Sequence, residues 1–170
     1  MSHLQEALGG LSPPSIYAAF GSKEQLFKEA TELYVAARRS AAEPQLAKAA
    51  TARDAIDTTL RCAVMGSTEA GEPRGCLLVQ GAITCSASGE GVQQFLHDFR
   101  TEEQRAILRR LKAAVTSGEL PARTNVQAMT QFYTTFARGI AVQARDGATR
   151  ASLMEAVDCA MAAWDSFIKA

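Results

Sequence analysis

Apolar residues recur three and four positions apart along most of the 170-residue chain. This spacing is typical of α-helices with one buried face, and no segment shows the sustained alternation with β-branched residues that marks strands. The clearest helices are predicted over residues 126–145 and 150–168, with Asp146 and Gly147 between them. The pattern therefore predicts an all-α protein.

The first twenty residues predict two short helices with a tight turn between them. Gly9 and Gly10 end a short helical segment, and Ser12 followed by Pro13 begins a second one that runs to Phe20. Serine suits the N-cap, and proline suits the first helical position because its missing N–H would have no partner there. A helix, a tight turn and a second helix form a helix-turn-helix.

A long helix is predicted over residues 22–42, ahead of a break at Pro44. Its start carries a Ser-x-x-Gln capping box formed by Ser22 and Gln25. A further helix is predicted over residues 51–64.

The middle of the chain predicts the centre of the main domain. Residues 75–84 follow an expected loop over residues 66–74 and are apolar on nearly all sides, so they predict a helix that is buried all round. A small-residue loop over residues 85–89 leads into a long helix that ends at Gly118. Its expected inward stripe is Val92, Phe95, Leu96, Phe99, Ala106, Ile107, Leu111, Ala114 and Val115.

Composition places the chain among folded proteins, with 47% apolar and 21% charged residues. Eighteen basic and eighteen acidic residues give a formal net charge of zero, so any DNA contact has to be argued locally. No window approaches the roughly 20 apolar residues that a membrane-spanning helix needs, and the start lacks a basic segment followed by an apolar one. The expected location is the cytoplasm, with no membrane partner.

The cysteines predict neither a metal site nor a disulfide framework. Cys62, Cys76, Cys85 and Cys159 are too far apart for a C-x-x-C pairing, and only two histidines are available as further ligands. Reduced, buried thiols are expected, because free cysteine behaves as a small hydrophobe. No cofactor is expected.

Residues 12–27, SPPSIYAAFGSKEQLF, carry the densest functional signal. The second helix of a helix-turn-helix presents its first residues to the major groove, and Ser12 and Ser15 are small hydroxyl donors at that position. Lys23 opens the next helix, where backbone N–H groups and a lysine favour a phosphate. Tyr17 has two interpretations at this point, a core aromatic residue or a DNA contact.

Residues 11–27 closely resemble the recognition helix and the following helix of TetR-family transcriptional repressors. The resemblance implies that Tyr17 and Lys23 contact phosphates. It also implies residues in or near the groove, namely Ser12, Pro13, Pro14, Ser15 and Ala18.

Residues 74–78 and 118–147 are similar, more weakly, to the regulatory domains of one branch of that family. The resemblance implies a partial helix-turn-helix DNA-binding domain over residues 1–40 and an effector-binding, dimerising helical bundle over residues 41–170. The last two helices would pair across a two-fold axis. Small and apolar residues expected to serve that pairing are Met129, Phe132, Phe136, Ile140, Ala141, Ala144, Leu153, Ala156, Val157, Ala160, Met161, Ala163 and Trp164.

Family members begin with a helix that precedes the helix-turn-helix and completes a three-helix domain. Met1 falls almost at the start of the second of those helices. We therefore expect weak or no specific operator binding by this 170-residue chain unless a first helix is restored.

Candidate effector-binding residues are aromatic, sulfur-containing and amide side chains on the apolar helices, although stripes at helical spacing are more often plain core. Gln80, Gln94 and Gln143 would suit a ligand best if they point inward, because a buried amide needs partners. The full set predicted to line an effector site is Cys62, Met65, Gln80, Phe95, Phe99, Phe132, Phe136 and Gln143.

An enzyme on a helical bundle is the rival interpretation. Neither histidine has the Glu-x-x-His spacing of a di-iron bundle, and the chain has no Gly-x-Ser-x-Gly elbow or glycine-rich phosphate loop. The predicted function is a ligand-responsive repressor, not an enzyme, released from its operator when a small, mostly apolar effector shifts the helix that begins at Ser22. The alternative is a dimeric helical ligand-binding module without DNA-binding activity.

Overall fold

The structure is a computed structural model that describes residues 2–7, 9–84 and 90–169. These residues form helices and connecting turns with no strand, which confirms the all-α prediction. The helices are α1 (Ser2–Ala7), α2 (Pro13–Phe20), α3 (Lys23–Leu46), α4 (Ala52–Ser67), α5 (Leu77–Thr84), α6 (Glu90–Thr116), α7 (Val126–Arg145), α8 (Arg150–Ala162) and α9 (Trp164–Lys169). They divide into two compact units, Met1–Ala37 and Arg38–Ala170. The predicted small-residue loop over residues 85–89 lies outside the described residues.

In the first unit, the predicted turn between α1 and α2 is present. The Gly10 N–H donates to the carbonyl of Gln5 at 2.8 Å, and the Gly9 N–H donates to that of Glu6 at 3.1 Å. This is the hydrogen-bond pattern of a Schellman motif. Gly9 and Gly10 have φ values of 70° and 84°, a left-handed conformation that favours glycine.

The long helix α3 does not end before Pro44, as the sequence predicts, but continues through it to Leu46. Proline removes the hydrogen bond that its own N–H would donate one turn back, to Ser40. Both Pro44 and Ser40 are exposed, so water can satisfy the freed carbonyl. The cost of the proline is therefore small in this last turn, and the helix ends two residues later.

The core of the second unit forms around α4, which packs against α6, α7 and α8. Ile56, Leu60 and Val64 recur four residues apart and are fully buried, so they form a continuous inward stripe. Met129 and Tyr133 of α7 belong to the same cluster. Burial raises the pKa of the Tyr133 phenol to about 12, so this side chain stays neutral within the core.

Both ends of α4 are held by side chains from distant parts of the chain. At its start, Thr51 and Asp54 form a reciprocal capping box, and the Glu119 carboxylate accepts a hydrogen bond from the Ala52 N–H. At its end, the Arg150 guanidinium donates to the Thr68 carbonyl and to the Thr68 hydroxyl, each at 2.8 Å. A carboxylate at the N-terminus and a guanidinium at the C-terminus both complement the helix dipole.

The segment predicted as one last helix over residues 150–168 is two helices, with the break at Ala163. The Ala163 N–H bonds to the Ala160 carbonyl, and the Ser166 N–H bonds in turn to the Ala163 carbonyl, so the chain tightens there. The buried Trp164 ring then lies 5.9 Å from that of Tyr133. Aromatic packing, for which the alanine-rich sequence gives no signal, accompanies the break.

Two further predictions of burial are wrong. In α5 only Leu78 is buried among the described side chains, and Leu77, Val79 and Gln80 are half-buried, so this helix is not enclosed on all sides. In α6 the stripe predicted to face inward includes Ala106, which is exposed. Alanine carries little apolar area, so its position on a stripe is a weak indicator of burial.

The prediction that the cysteine thiols are buried is also wrong for the cysteines that the structure describes. Cys159 is exposed, and Cys62 and Cys76 are only partly buried.

A pair of substitutions on α4 tests the position of the core. Leu60→Ala should lower the free energy of unfolding by about 2–5 kcal/mol, because Leu60 is 0% exposed and its removal leaves a cavity. Met65→Ala on the same helix should change it by less than about 1 kcal/mol, because Met65 is 45% exposed. Urea titration followed by circular dichroism measures both, and equal losses would contradict this orientation of α4.

Candidate DNA-binding site

The helix α2 is held by one buried residue and exposes most of the others. Ile16 is 2% exposed, whereas its neighbour Tyr17 is 41% exposed. Of the other residues predicted to meet DNA, Ser12, Pro14, Ser15 and Ala18 are exposed and Pro13 is half-buried. The core interpretation of Tyr17 is therefore wrong, because its side chain is exposed, as the two serines are. Sequence reasoning did not single out Ile16, although its place between polar and small residues is a local signal.

Ser12 is the N-cap of α2, as predicted. Its hydroxyl oxygen accepts a hydrogen bond from the Ser15 N–H at 3.3 Å, and the two serine hydroxyls lie 2.9 Å apart. Gly21 ends the helix with a φ of 73°, and its N–H donates to the Tyr17 carbonyl at 2.8 Å. These caps fix both ends of a helix of only eight residues.

The start of α3 presents a lysine next to a helix N-terminus. The Ser22 hydroxyl accepts from the Gln25 N–H at 3.0 Å, but the Gln25 side chain donates forward to Glu29 at 3.0 Å. Only half of the predicted capping box is therefore formed. Glu24 pairs with Lys28 at 2.7 Å, and Lys23 has no ion-pair partner among the described residues. An exposed lysine beside unpaired backbone N–H groups suits a phosphate.

The predicted effector residues lie on four helices of the second unit. On α6, the half-buried rings of Phe95 and Phe99 meet edge to face at 5.0 Å. On α7, Phe132 and Phe136 line one open hollow together with Ala128, Gln131 and Thr135. The structure thus brings together two pairs of the predicted aromatic residues.

The other predicted effector residues are placed less favourably for an enclosed ligand. Gln143 and Gln94 are exposed, and Gln94 donates to Asp98 at 2.8 Å, so neither amide points inward. On α4, the Cys62 thiol donates to the Gln45 side chain at 3.6 Å, and burial raises the pKa of that thiol. Gln80 on α5 donates to the Arg74 carbonyl at 3.0 Å.

Two further properties concern the described residues only. They contain no group of histidine, cysteine and acidic side chains that could hold a metal ion. Among their helices, none combines the length and the apolar composition needed to cross a lipid bilayer.

Solved structures that are similar to this chain include transcriptional regulators. A cysteine mutant of CifR, solved with a 26-base-pair double-strand operator, matches 96% of this chain and 85% of its own at 36% identity, with a TM-score of 0.89. The chain belongs to the TetR family of transcriptional regulators. A second TetR regulator, from Rhodococcus sp. RHA1, matches 94% of this chain and 85% of its own at 32% identity, with a TM-score of 0.66.

Curated relatives of this TetR-family chain are repressors. ComR of Escherichia coli (strain K12) is 24% identical over 170 residues, which is 99% of this chain and 80% of ComR. BdcR of the same organism is 28% identical over 139 residues, which is 81% of this chain and 65% of BdcR. No family model matches the sequence. The TetR resemblance of residues 11–27 thus leads to the same family as the whole-chain comparisons.

Removing the α2 cap should loosen the helix that carries the exposed serines. Ser12→Ala removes the acceptor of the Ser15 N–H, at an expected cost of about 1 kcal/mol to the helix, whereas Ser12→Asp keeps an acceptor there. Hydrogen exchange of the amides of residues 15–20 should rise about fivefold in Ser12→Ala. In Ser12→Asp it should stay near that of the unsubstituted protein. Equal exchange in the two variants would show that this cap does not hold α2.

Proposed function

We propose that this TetR-family regulator is a repressor that binds operator DNA through α2 and the first turn of α3. The proposal is carried by the exposure of Ser15, Tyr17 and Lys23, which lie on two capped segments, α2 behind Ser12 and the first turn of α3 behind Ser22. It is supported by CifR, whose structure includes operator DNA. Residues 1–40 are proposed as the DNA-binding part and residues 41–170 as the regulatory part.

The residues proposed to contact DNA have two different roles. Lys23 supplies a charge to a phosphate, and the Tyr17 hydroxyl donates to a second phosphate, which positions α2 without reading sequence. Ser12, Ser15 and Ala18 are small enough to let α2 approach base edges closely. Because Ser12 and Ser15 already hydrogen-bond to each other, a base contact by either hydroxyl has to be made in addition to that bond or instead of it.

The regulatory part is proposed to bind a small, mostly apolar effector that lowers operator affinity. The edge-to-face pair Phe95 and Phe99 on α6 offers half-buried aromatic surface for such a ligand. The helix α3 begins in the first compact unit and ends in the second, so it is the covalent route by which an effector can act on α2.

Operator binding is testable with the full chain and random 26-base-pair duplexes from which bound sequences are selected. Lys23→Gln should weaken binding to the selected duplex about fivefold at low salt and lower the salt slope by about one per bound chain. Tyr17→Phe should weaken binding by a similar factor with an unchanged slope, because it removes a neutral hydroxyl. Fluorescence anisotropy at several salt concentrations measures both effects.

The matched control is Lys48→Gln, which removes an exposed lysine beyond the end of α3. It should leave affinity and salt slope unchanged. Because weak binding is expected of the 170-residue chain by itself, the selection is repeated with the same chain carrying a restored first helix ahead of Met1. If neither form enriches a duplex sequence, the operator-binding proposal fails and a ligand-binding module without DNA-binding activity takes its place. Equal losses in Lys23→Gln and Lys48→Gln would indicate only a general charge effect.

The same proposal includes a homodimer formed through α7 and the helices that follow it. Residues expected from sequence to supply the pairing surface include Met129, Ile140, Leu153, Val157 and Trp164, but these are buried within a single chain. They are not available to a partner, so that assignment is wrong. The opposite face of α7 is open, with Phe132 37% exposed and Gly139 exposed beside the half-buried Phe136. This open face is the surface we propose for the second copy.

A charge placed on the open face of α7 should prevent dimer formation. Phe132→Glu should shift the mass measured by light scattering after gel filtration from two chains towards one, because an unpaired carboxylate would be buried in the interface. Met65→Glu changes an exposed apolar residue on α4 and should leave the mass unchanged. A monomeric unsubstituted protein, or a dimer that survives Phe132→Glu, would exclude this interface.

A further inference from the structure

The turn that contains Arg74 and Gly75 joins α4, α5 and α7. The Arg74 Nε donates to the Ala144 carbonyl at 2.8 Å, and Arg74 Nη2 donates to the Ala148 carbonyl. Both acceptors lie at the C-terminal end of α7. The guanidinium therefore caps the negative end of a helix that begins 52 positions later in the chain, at Val126.

Gly75 allows the backbone of this turn to lie close against α7. Its N–H donates to the Ser67 carbonyl at the end of α4, at 2.9 Å, and its φ is 100°. A Cβ at this position would lie 1.9 Å from Gln80 Nε2 and 3.0 Å from the Ala141 carbonyl oxygen, so the backbone lies directly against α7. The Gln80 amide occupies that space and donates to the Arg74 carbonyl at 3.0 Å.

The end of α7 shares an acceptor with this turn. The helix ends in a Schellman motif, in which Gly147 N–H donates to the Ala144 carbonyl at 3.1 Å and Ala148 N–H donates to the Gln143 carbonyl at 3.0 Å. The Ala144 carbonyl thus accepts from both Arg74 and Gly147. Because the two bonds use one oxygen, a movement of that carbonyl strains both of them.

We propose that these contacts form one cooperative latch, in which the turn before α5 and the C-terminal end of α7 open together. The latch consists of Ser67, Arg74, Gly75, Gln80 and the α7 terminus over residues 143–148. A displacement at the start of α5 is then passed to the end of α7 through Arg74. This property belongs to the second unit by itself and requires neither DNA nor an effector.

Hydrogen exchange of the full-length protein tests the latch from both sides. Arg74→Ala should raise the exchange rates of the Gly75, Gly147 and Ala148 amides by a similar factor, on the order of tenfold. Gln80→Ala acts from the α5 side, because it removes the donor to the Arg74 carbonyl, and it should also raise exchange at Gly147 and Ala148. Arg74→Lys should give an intermediate rate, because an ammonium makes a point contact instead of a fork.

The control is Arg53→Ala, which removes a half-exposed ion pair to Asp165 with an N–O distance of 3.7 Å. It should leave the three latch amides unchanged. The proposal is overturned if Gln80→Ala accelerates exchange only near α5, or if Arg74→Ala accelerates exchange only at one of the two sites. A uniform rise that includes the buried core of α4 would also overturn it, since that outcome reports global destabilisation. Should Arg74→Ala fail to fold, the Arg74→Lys and Gln80→Ala variants decide the question by the same criterion.

Discussion

The second unit depends on the way in which α4 is fixed at both ends and along its buried side. A helix leaves unpaired N–H groups at its start and unpaired carbonyls at its end, and these must be satisfied where they approach the core. Here the Glu119 carboxylate accepts a hydrogen bond from the Ala52 N–H at the start, across 67 residues of the chain. The Arg150 guanidinium donates to the Thr68 carbonyl at the end, across 82 residues. Arg150 is the first residue of α8 and Glu119 lies between α6 and α7, so these bonds tie the two ends of α4 to other parts of the same core.

This arrangement explains which parts of the fold can be predicted from sequence. The predicted bounds of α7 agree with the structure because its turn residues and apolar stripe are local signals. The local signal at Pro44 misleads because a broken hydrogen bond matters little in an exposed last turn. The break at Ala163 has no local signal in the alanine-rich sequence, and it coincides with the packing of Trp164 against Tyr133. The spacing of apolar residues does not predict the contacts of Arg74, Glu119 and Arg150, because these contacts join elements far apart in the chain.

The candidate site shows the same division. Helix capping at Ser12 and the turn at Gly9 and Gly10 follow from sequence, because both depend on neighbouring residues. The sequence does not decide whether Tyr17 belongs to the core, because the apolar pattern of so short a helix does not show which side packs against the rest of the unit. The burial of Ile16 settles that question and leaves Tyr17 on the open side. Gln94 and Gln143 lie on the long helices α6 and α7, where the structure shows both side chains exposed.

A net charge of zero is compatible with phosphate binding when the pairing of charges is local. Residues 1–40 contain four basic and four acidic residues, so composition gives this segment no positive excess. In the structure, however, the Glu24 carboxylate is 2.7 Å from Lys28 and the Glu29 carboxylate accepts from Gln25. The Glu24 carboxylate is thus paired with a lysine one turn farther along α3, and the Glu29 carboxylate is hydrogen-bonded to the side chain one turn before it. Lys23 and the helix N-terminus are left as adjacent positive groups, and over a screening length of about 10 Å this local arrangement matters more to a phosphate than the net charge does.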